Sequence, residues 1–173
     1  MKLLIAAGAW LALVAPAMAA SPQPAKPVAA NLYSGRWYEI ARTPNRIQSD
    51  CQGSTSDFSG WASGAFSVVQ TCHKGSVDGP KQTYSARGHV LPASENAKMK
   101  LGFMGGLISQ EYWIVDHSDD NLWAIMARYD GRYVWLLSRR PVLDQGAKAH
   151  AMARMQALGF DMTRLAFPQQ TPR

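Results

Sequence analysis

Residues 33–45 read YSGRWYEIARTPN. A glycine opens the stretch, an aromatic pair follows, and polar and apolar residues then alternate. Period-two alternation is the mark of a strand with one face buried. It puts Trp37, Glu39 and Ala41 on one face and Tyr38, Ile40 and Arg42 on the other. Gly35 stands where the backbone must turn sharply into that strand, a place suited to a residue without a Cβ.

Downstream the same grammar repeats. Segments 36–43, 51–60, 65–74, 82–91, 97–104, 111–118, 121–129 and 132–139 are rich in Trp, Tyr, Phe, Val and Ile. Gly, Pro, Asp, Asn or Ser separates each from the next, as in WASGA, PASEN and HSDDN. Asp130-Gly131 is the strongest hairpin signal. Short, regular connections argue for antiparallel up-and-down order, and eight such strands can close into a barrel without exposed edges. After Pro141 the pattern changes. Residues 142–158 lack β-branched residues beyond Val142, and Val142, Leu143, Ala147, Ala151, Met155 and Leu158 fit one helical face capped by Gly159. Such a helix has to pack outside the barrel, because the interior has no room for it. A ninth short strand is expected near 163–167.

The chain divides into three parts. Met1–Lys2, the apolar run Leu3–Val14 and Ala17-Met18-Ala19 form a secretory signal peptide over residues 1–19. Residues 20–30, ASPQPAKPVAA, read as a flexible leader, and residues 31–173 form one barrel domain. No cysteine follows the cleavage site, so the expected product is periplasmic or secreted and not lipid-anchored. The net charge of +6 falls by one when Lys2 leaves with the signal peptide. The basic residues are scattered, which argues against nucleic acid and is compatible with weak contact to an anionic membrane surface.

Export makes a disulfide the default for the two cysteines, Cys51 and Cys72. Folding 51–60 onto 65–74 as a hairpin puts them opposite one another or one step off, close enough to bridge. The histidines are isolated and show no metal spacing. No cofactor is expected.

With the strands placed, NLYSGRWYEIAR (31–42) resembles the Gly-x-Trp signature that opens the lipocalin family's first strand. YVWLLSRRP (133–141) resembles the family's arginine signature at the end of the eighth strand. EYWIVDHSDDNLWAIM (111–126) resembles the signature at the turn between the sixth and seventh strands, with His117-Ser118-Asp119 in place of the frequent Thr-Asp-Tyr. The resemblance spans the mature domain and is nearest to the bacterial lipocalins similar to apolipoprotein D. It implies an all-β, eight-stranded antiparallel barrel with one C-terminal helix outside. It also implies that Gly35, Trp37 and Arg139 make a structural floor, with the guanidinium packed across the indole.

Register taken from Arg139 and from the family's pattern then names a lining. On the eighth strand it holds Tyr133 and Trp135, and on the seventh Trp123 and Ile125. The sixth contributes Tyr112 and Ile114, and the fifth contributes Met99, Leu101 and Phe103 opposite two lysines. Phe58 and Tyr84 complete it from the second and fourth strands. An apolar, aromatic lining suits a small hydrophobic molecule such as a fatty acid or lysophospholipid. With no catalytic constellation visible, binding, storage or transport without turnover is the expected activity. The alternatives are an isomerase-like enzyme on this fold, with Glu39 or Asp116 as an inward acid, and an envelope-associated interaction protein.

Overall fold

A computed structural model describes residues 20–171. Eight antiparallel strands close into one barrel in sequence order. They are β1 Gly35–Arg42, β2 Cys51–Ala62, β3 Ala65–Lys74, β4 Lys81–Val90, β5 Lys98–Phe103, β6 Ile108–His117, β7 Trp123–Arg128 and β8 Val134–Ser138. The first and last strands pair through Tyr38–Ser138 and Glu39–Leu137, which closes the sheet. Up-and-down order puts the β2–β3, β4–β5 and β6–β7 turns at one end, here the floor. The β1–β2, β3–β4, β5–β6 and β7–β8 loops ring the other end, the mouth.

Two apolar cores follow, one on each side of the wall. The inner core holds Trp37, Phe58, Phe66, Val68, Met99, Leu101, Ile114, Met126, Trp135 and Leu137. The outer core lies between the wall and helix α1, Gln145–Ala157, and holds Ile40, Trp113, Val115, Trp123, Ile125, Leu136, Ala151 and Met155. The helix begins three residues later than its apolar pattern suggests. Asp144 is the N-cap, its carboxylate accepting from the Ala147 N–H at 2.8 Å, and Val142 is left exposed before it. Gly159 follows the helix at φ +85°, the left-handed position that favours glycine. The expected ninth strand is reduced to one bridge, Ala166 with Arg42, after a 3₁₀ turn at Met162–Arg164.

The proline-rich leader is laid against the barrel as a strap, whereas composition alone suggested a flexible segment. The Ser21 N–H donates to the Tyr129 carbonyl at the mouth, Ala25 to Val115, and Val28 to Glu95 at the floor. Val28 is buried in the inner core, and residues Ala30–Tyr33 then cross the floor as a 3₁₀ turn. The signal peptide assigned to residues 1–19 lies outside the described residues.

Cys51 and Cys72 are bridged, with Cα atoms 5.3 Å apart. Cys51 pairs with Lys74, so Cys72 is its diagonal neighbour on the same face of the hairpin. The bridge closes the mouth end of β2 and β3, and the entropy model assigns a loop of this size about 3 kcal/mol.

Candidate binding site

The floor is sealed from below. Gly35 takes φ +66° as the chain turns up into β1, and two residues later the Trp37 ring lies inside, 1 % exposed. Its Nε1 donates to the Leu32 carbonyl at 2.9 Å. The Arg139 guanidinium sits 3.8 Å from the ring centroid. It also donates to the carbonyls of Asn31, Leu32, Ser34 and Arg36. One cation thus covers the indole and satisfies the carbonyls of the turn that crosses the barrel's end. Beside it, Tyr33 stacks on Trp61 and Phe66, with centroids 5.2 and 4.9 Å away. Burial pushes the Tyr33 phenol above its ordinary pKa, and its hydroxyl donates to the Asn96 carbonyl. The lower half of the barrel is a packed core.

The upper half is different. Trp135, Tyr112 and Tyr133 meet there, with ring centroids 5.8 and 6.3 Å from Trp135. Phe103, Tyr112 and Tyr133 are only partly buried against the inner core. Glu39 also points inside, opposite Leu137. A bulge between Glu39 and Ala41 turns both Ile40 and Ala41 outward and brings Arg42 back to the inner face, opposite Trp135. Glu39 and Arg42 therefore form a buried ion pair within the barrel. The Arg42 Nη2 donates to the carbonyls of Gln48 and Cys51 at 2.7 and 2.9 Å.

Gln48, from the β1–β2 loop, completes this group. Its amide nitrogen donates to Glu39 at 2.8 Å, and its amide oxygen accepts from Trp135 Nε1 at 3.1 Å. Burial raises the Glu39 carboxyl above its ordinary pKa, outweighing the opposing pull of Arg42 and Gln48. Two buried polar atoms near this group, Arg42 Nε and Ser54 Oγ, have no protein partner.

Most of the residues expected to line the barrel lie on its inner face. Phe58, Met99, Leu101, Ile114 and Trp135 are buried there, and Phe103, Tyr112 and Tyr133 pack against them. Tyr84 shares the inward parity of Ala86 but stands at the mouth, 38 % exposed, with its hydroxyl on Gln82. Trp123 and Ile125 are corrected. Both lie outside, beneath α1, and Trp123 meets His150 edge-on at 5.7 Å. Their neighbours Ala124 and Met126 face inward instead. A bulge in β6 between Ile114 and Asp116 lets both Val115 and Asp116 stand opposite one stretch of β7, which shifts the register there. The helix also makes the outer face of β7 as apolar as the inner one, so hydrophobicity cannot tell them apart.

Asp116, the other carboxylate considered as an inward acid, accepts from Arg154 of the helix at 2.7 Å on the outer side. Sequence reasoning did not pick out Phe66, Val68, Met126, Arg42 or Gln48. The first two alternate cleanly on β3 and were legible; the Arg42 position depends on a bulge that alternation does not register.

Two hollows lie outside the barrel. One, of about 510 Å³, crosses the outer wall of β1–β4 over the threonine ladder Thr55, Thr71 and Thr83. The other, of about 770 Å³, separates α1 from the β6–β7 turn and is edged by the Asp116–Arg154 and Lys26–Asp119 pairs. Both are open to solvent and carry charged or hydroxyl side chains among their apolar ones, unlike the barrel interior.

The family model for the lipocalin-like domain matches residues 28–170. The chain belongs to the lipocalin-like family. The outer membrane lipoprotein Blc of Vibrio cholerae is 26 % identical over 153 residues, 86 % of this chain and 88 % of its own length. Blc of Escherichia coli K12 is 26 % identical over 141 residues, 82 % of this chain and 78 % of its own. Among solved structures, insecticyanin from the tobacco hornworm Manduca sexta superposes with a TM-score of 0.70 at 16 % identity, covering 87 % of this chain and 84 % of that one. Lobster apocrustacyanin A1 gives 0.65 at 18 %, covering 88 % and 91 %. At those identities the structures speak for the fold, and in this lipocalin the floor signatures and the disulfide occupy the places that the sequence assigned to them.

Proposed function

We propose that this lipocalin binds one small hydrophobic molecule, of the fatty-acid or lysophospholipid kind, in the upper half of its barrel without turning it over. The observation that carries the reading is the contrast within the interior. A tightly packed floor supports the partly buried rings of Phe103, Tyr112 and Tyr133 around the buried Trp135. A chain with a polar end suits this site. Its apolar part has the aromatic wall and Met126 to cover it, and its polar end can reach the unpartnered Arg42 Nε and Ser54 Oγ. Glu39 is already engaged by Arg42 and Gln48, and Asp116 by Arg154, which favours binding over acid–base chemistry. The disulfide and the Blc relatives, named as outer membrane lipoproteins, support an exported, envelope location.

Titration of the exported chain with a long-chain fatty acid and with a lysophospholipid tests this. Tryptophan emission should change on binding. The response should survive Trp123→Phe, whose ring is outside, and vanish in Trp135→Phe. Native mass spectrometry should show one lipid per chain. An unchanged emission and a bare protein mass with every lipid tried would overturn the reading.

A further inference from the structure

The exposed large apolar side chains are distributed unevenly. Ile47 of the β1–β2 loop is 65 % exposed. In the β5–β6 connection, Met104 is 69 % and Leu107 85 % exposed, with Ile108 beside them. Tyr129 of the β7–β8 turn and Tyr84 at the mouth end of β4 are exposed as well. All of these stand at the mouth; elsewhere among the described residues only Val142 and Phe167 are comparable. Single exposed apolar residues are ordinary, but a set gathered on one rim is not.

The β5–β6 connection is the sharpest case. It reads Phe103-Met104-Gly105-Gly106-Leu107-Ile108 and contains no polar residue. Tight turns usually carry Asn, Asp, Ser or Gly. Here Met104 itself takes a left-handed φ of +50°, followed by Gly105 and Gly106 at +71° and +98°. The local cost of that conformation at a methionine leaves an apolar tip facing solvent.

Charge points the same way. Around the mouth, the five cations Arg46, Lys74, Lys81, Arg128 and Arg132 exceed the four carboxylates Asp50, Asp78, Glu111 and Asp130 by one, with Arg128 and Arg132 both paired to Asp130. The leader strap climbs the barrel from Val28 at the floor to Ser21, which is bonded to Tyr129 at the rim.

We propose that the rim of the mouth docks on the surface of an anionic lipid bilayer, with Ile47, Met104, Leu107 and Ile108 entering the headgroup region and the rim cations facing the phosphates. Apolar side chains set among cations are the composition that binds such interfaces. The inference extends the binding reading: a mouth seated on a bilayer can exchange a lipid without passing it through water. It does not depend on which molecule the barrel holds.

Cosedimentation of the exported, disulfide-bonded chain with vesicles tests it. Binding to vesicles of phosphatidylethanolamine with phosphatidylglycerol should exceed binding to pure phosphatidylcholine, and should fall as salt is raised. Leu107→Glu and Ile47→Glu should each weaken it by about tenfold or more, since each loses an inserted apolar side chain and adds a like charge to the surface. Val142→Glu, an equally simple change at an exposed apolar site away from the mouth, should bind as the parent does. Thermal unfolding of all three variants checks that they fold. Fatty acid supplied from solution should still change the emission of Trp135 in the rim variants, so loss of docking and loss of the binding site are read separately. Failure of the parent chain to sediment with any vesicle at low salt would overturn the proposal. Equal loss in Val142→Glu would overturn it too. A parent dimer that Leu107→Glu splits, with no vesicle binding, would do the same and assign the rim to a second copy.

Discussion

At the floor of this barrel Trp37 is buried beneath Arg139 and hydrogen-bonded to Leu32, whereas at the rim Leu107 stands almost wholly in solvent. Both ends are rich in large apolar side chains. They differ in what covers them. The floor chain crosses its own opening between Ala30 and Tyr33, and one guanidinium satisfies the carbonyls of that turn. The mouth loops reach past the wall and are left without cover. Backbone and ring are sealed together at the floor and are open to solvent at the mouth.

Removing the floor plug should have the largest effect. Trp37→Ala should cost about 3–5 kcal/mol, the usual penalty for emptying a buried aromatic site. Urea unfolding measures this, and a loss below 1 kcal/mol would mean that the floor is not the stable end.

Next in size is Arg42→Met, which leaves Glu39 inside the upper barrel without its cation. A buried pair broken on one side should cost about 3 kcal/mol at pH 7. The sign of its pH dependence follows from Glu39. Its carboxyl is already held above the ordinary value by burial, with Arg42 opposing the shift; without Arg42 it rises further. The folded state then holds the proton more tightly than the unfolded one, so this group's contribution to stability falls as pH rises through its range. The penalty should therefore shrink between pH 7 and pH 4.5 in paired unfolding curves. A penalty that grew on acidification would contradict the placement of Glu39.

Arg139→Gln addresses the cover of the plug. Loss of the cation–π contact and of several carbonyl partners should cost about 1–2 kcal/mol and expose Trp37. A red shift of tryptophan emission in the folded variant would accompany it. Smallest of all is Leu107→Ser at the rim. It should change unfolding stability by less than about 0.5 kcal/mol, because the side chain has no packing to lose.

Much of the architecture was legible before any coordinates. Alternation with turn residues marks the strands, export makes the Cys51–Cys72 bridge the default, and the Gly-x-Trp and arginine signatures pick out the floor. The inner face was legible where lysines or turns fix the outer one. On β5, Lys98 and Lys100 oppose Met99 and Leu101, and the reading matches the structure. It failed on β7, where Trp123 and Ile125 lie under the helix rather than in the barrel.

Strand positions and the cysteine pairing follow from the amino-acid order alone, because they depend on local periodicity or on residues that a hairpin brings together; the sealed end followed only from the resemblance to the family's signatures, because Trp37 and Arg139 meet when β1 closes on β8. Long-range packing sets which side of β7 faces inward, brings Arg42 to Glu39 inside, and gathers the exposed apolar residues on one rim. Bulges at Ile40 and Val115 reverse the alternation, and a helix packed on the wall removes the polar contrast that would have revealed it. A rim is assembled from loops far apart in the chain, and closure of the barrel alone makes them neighbours.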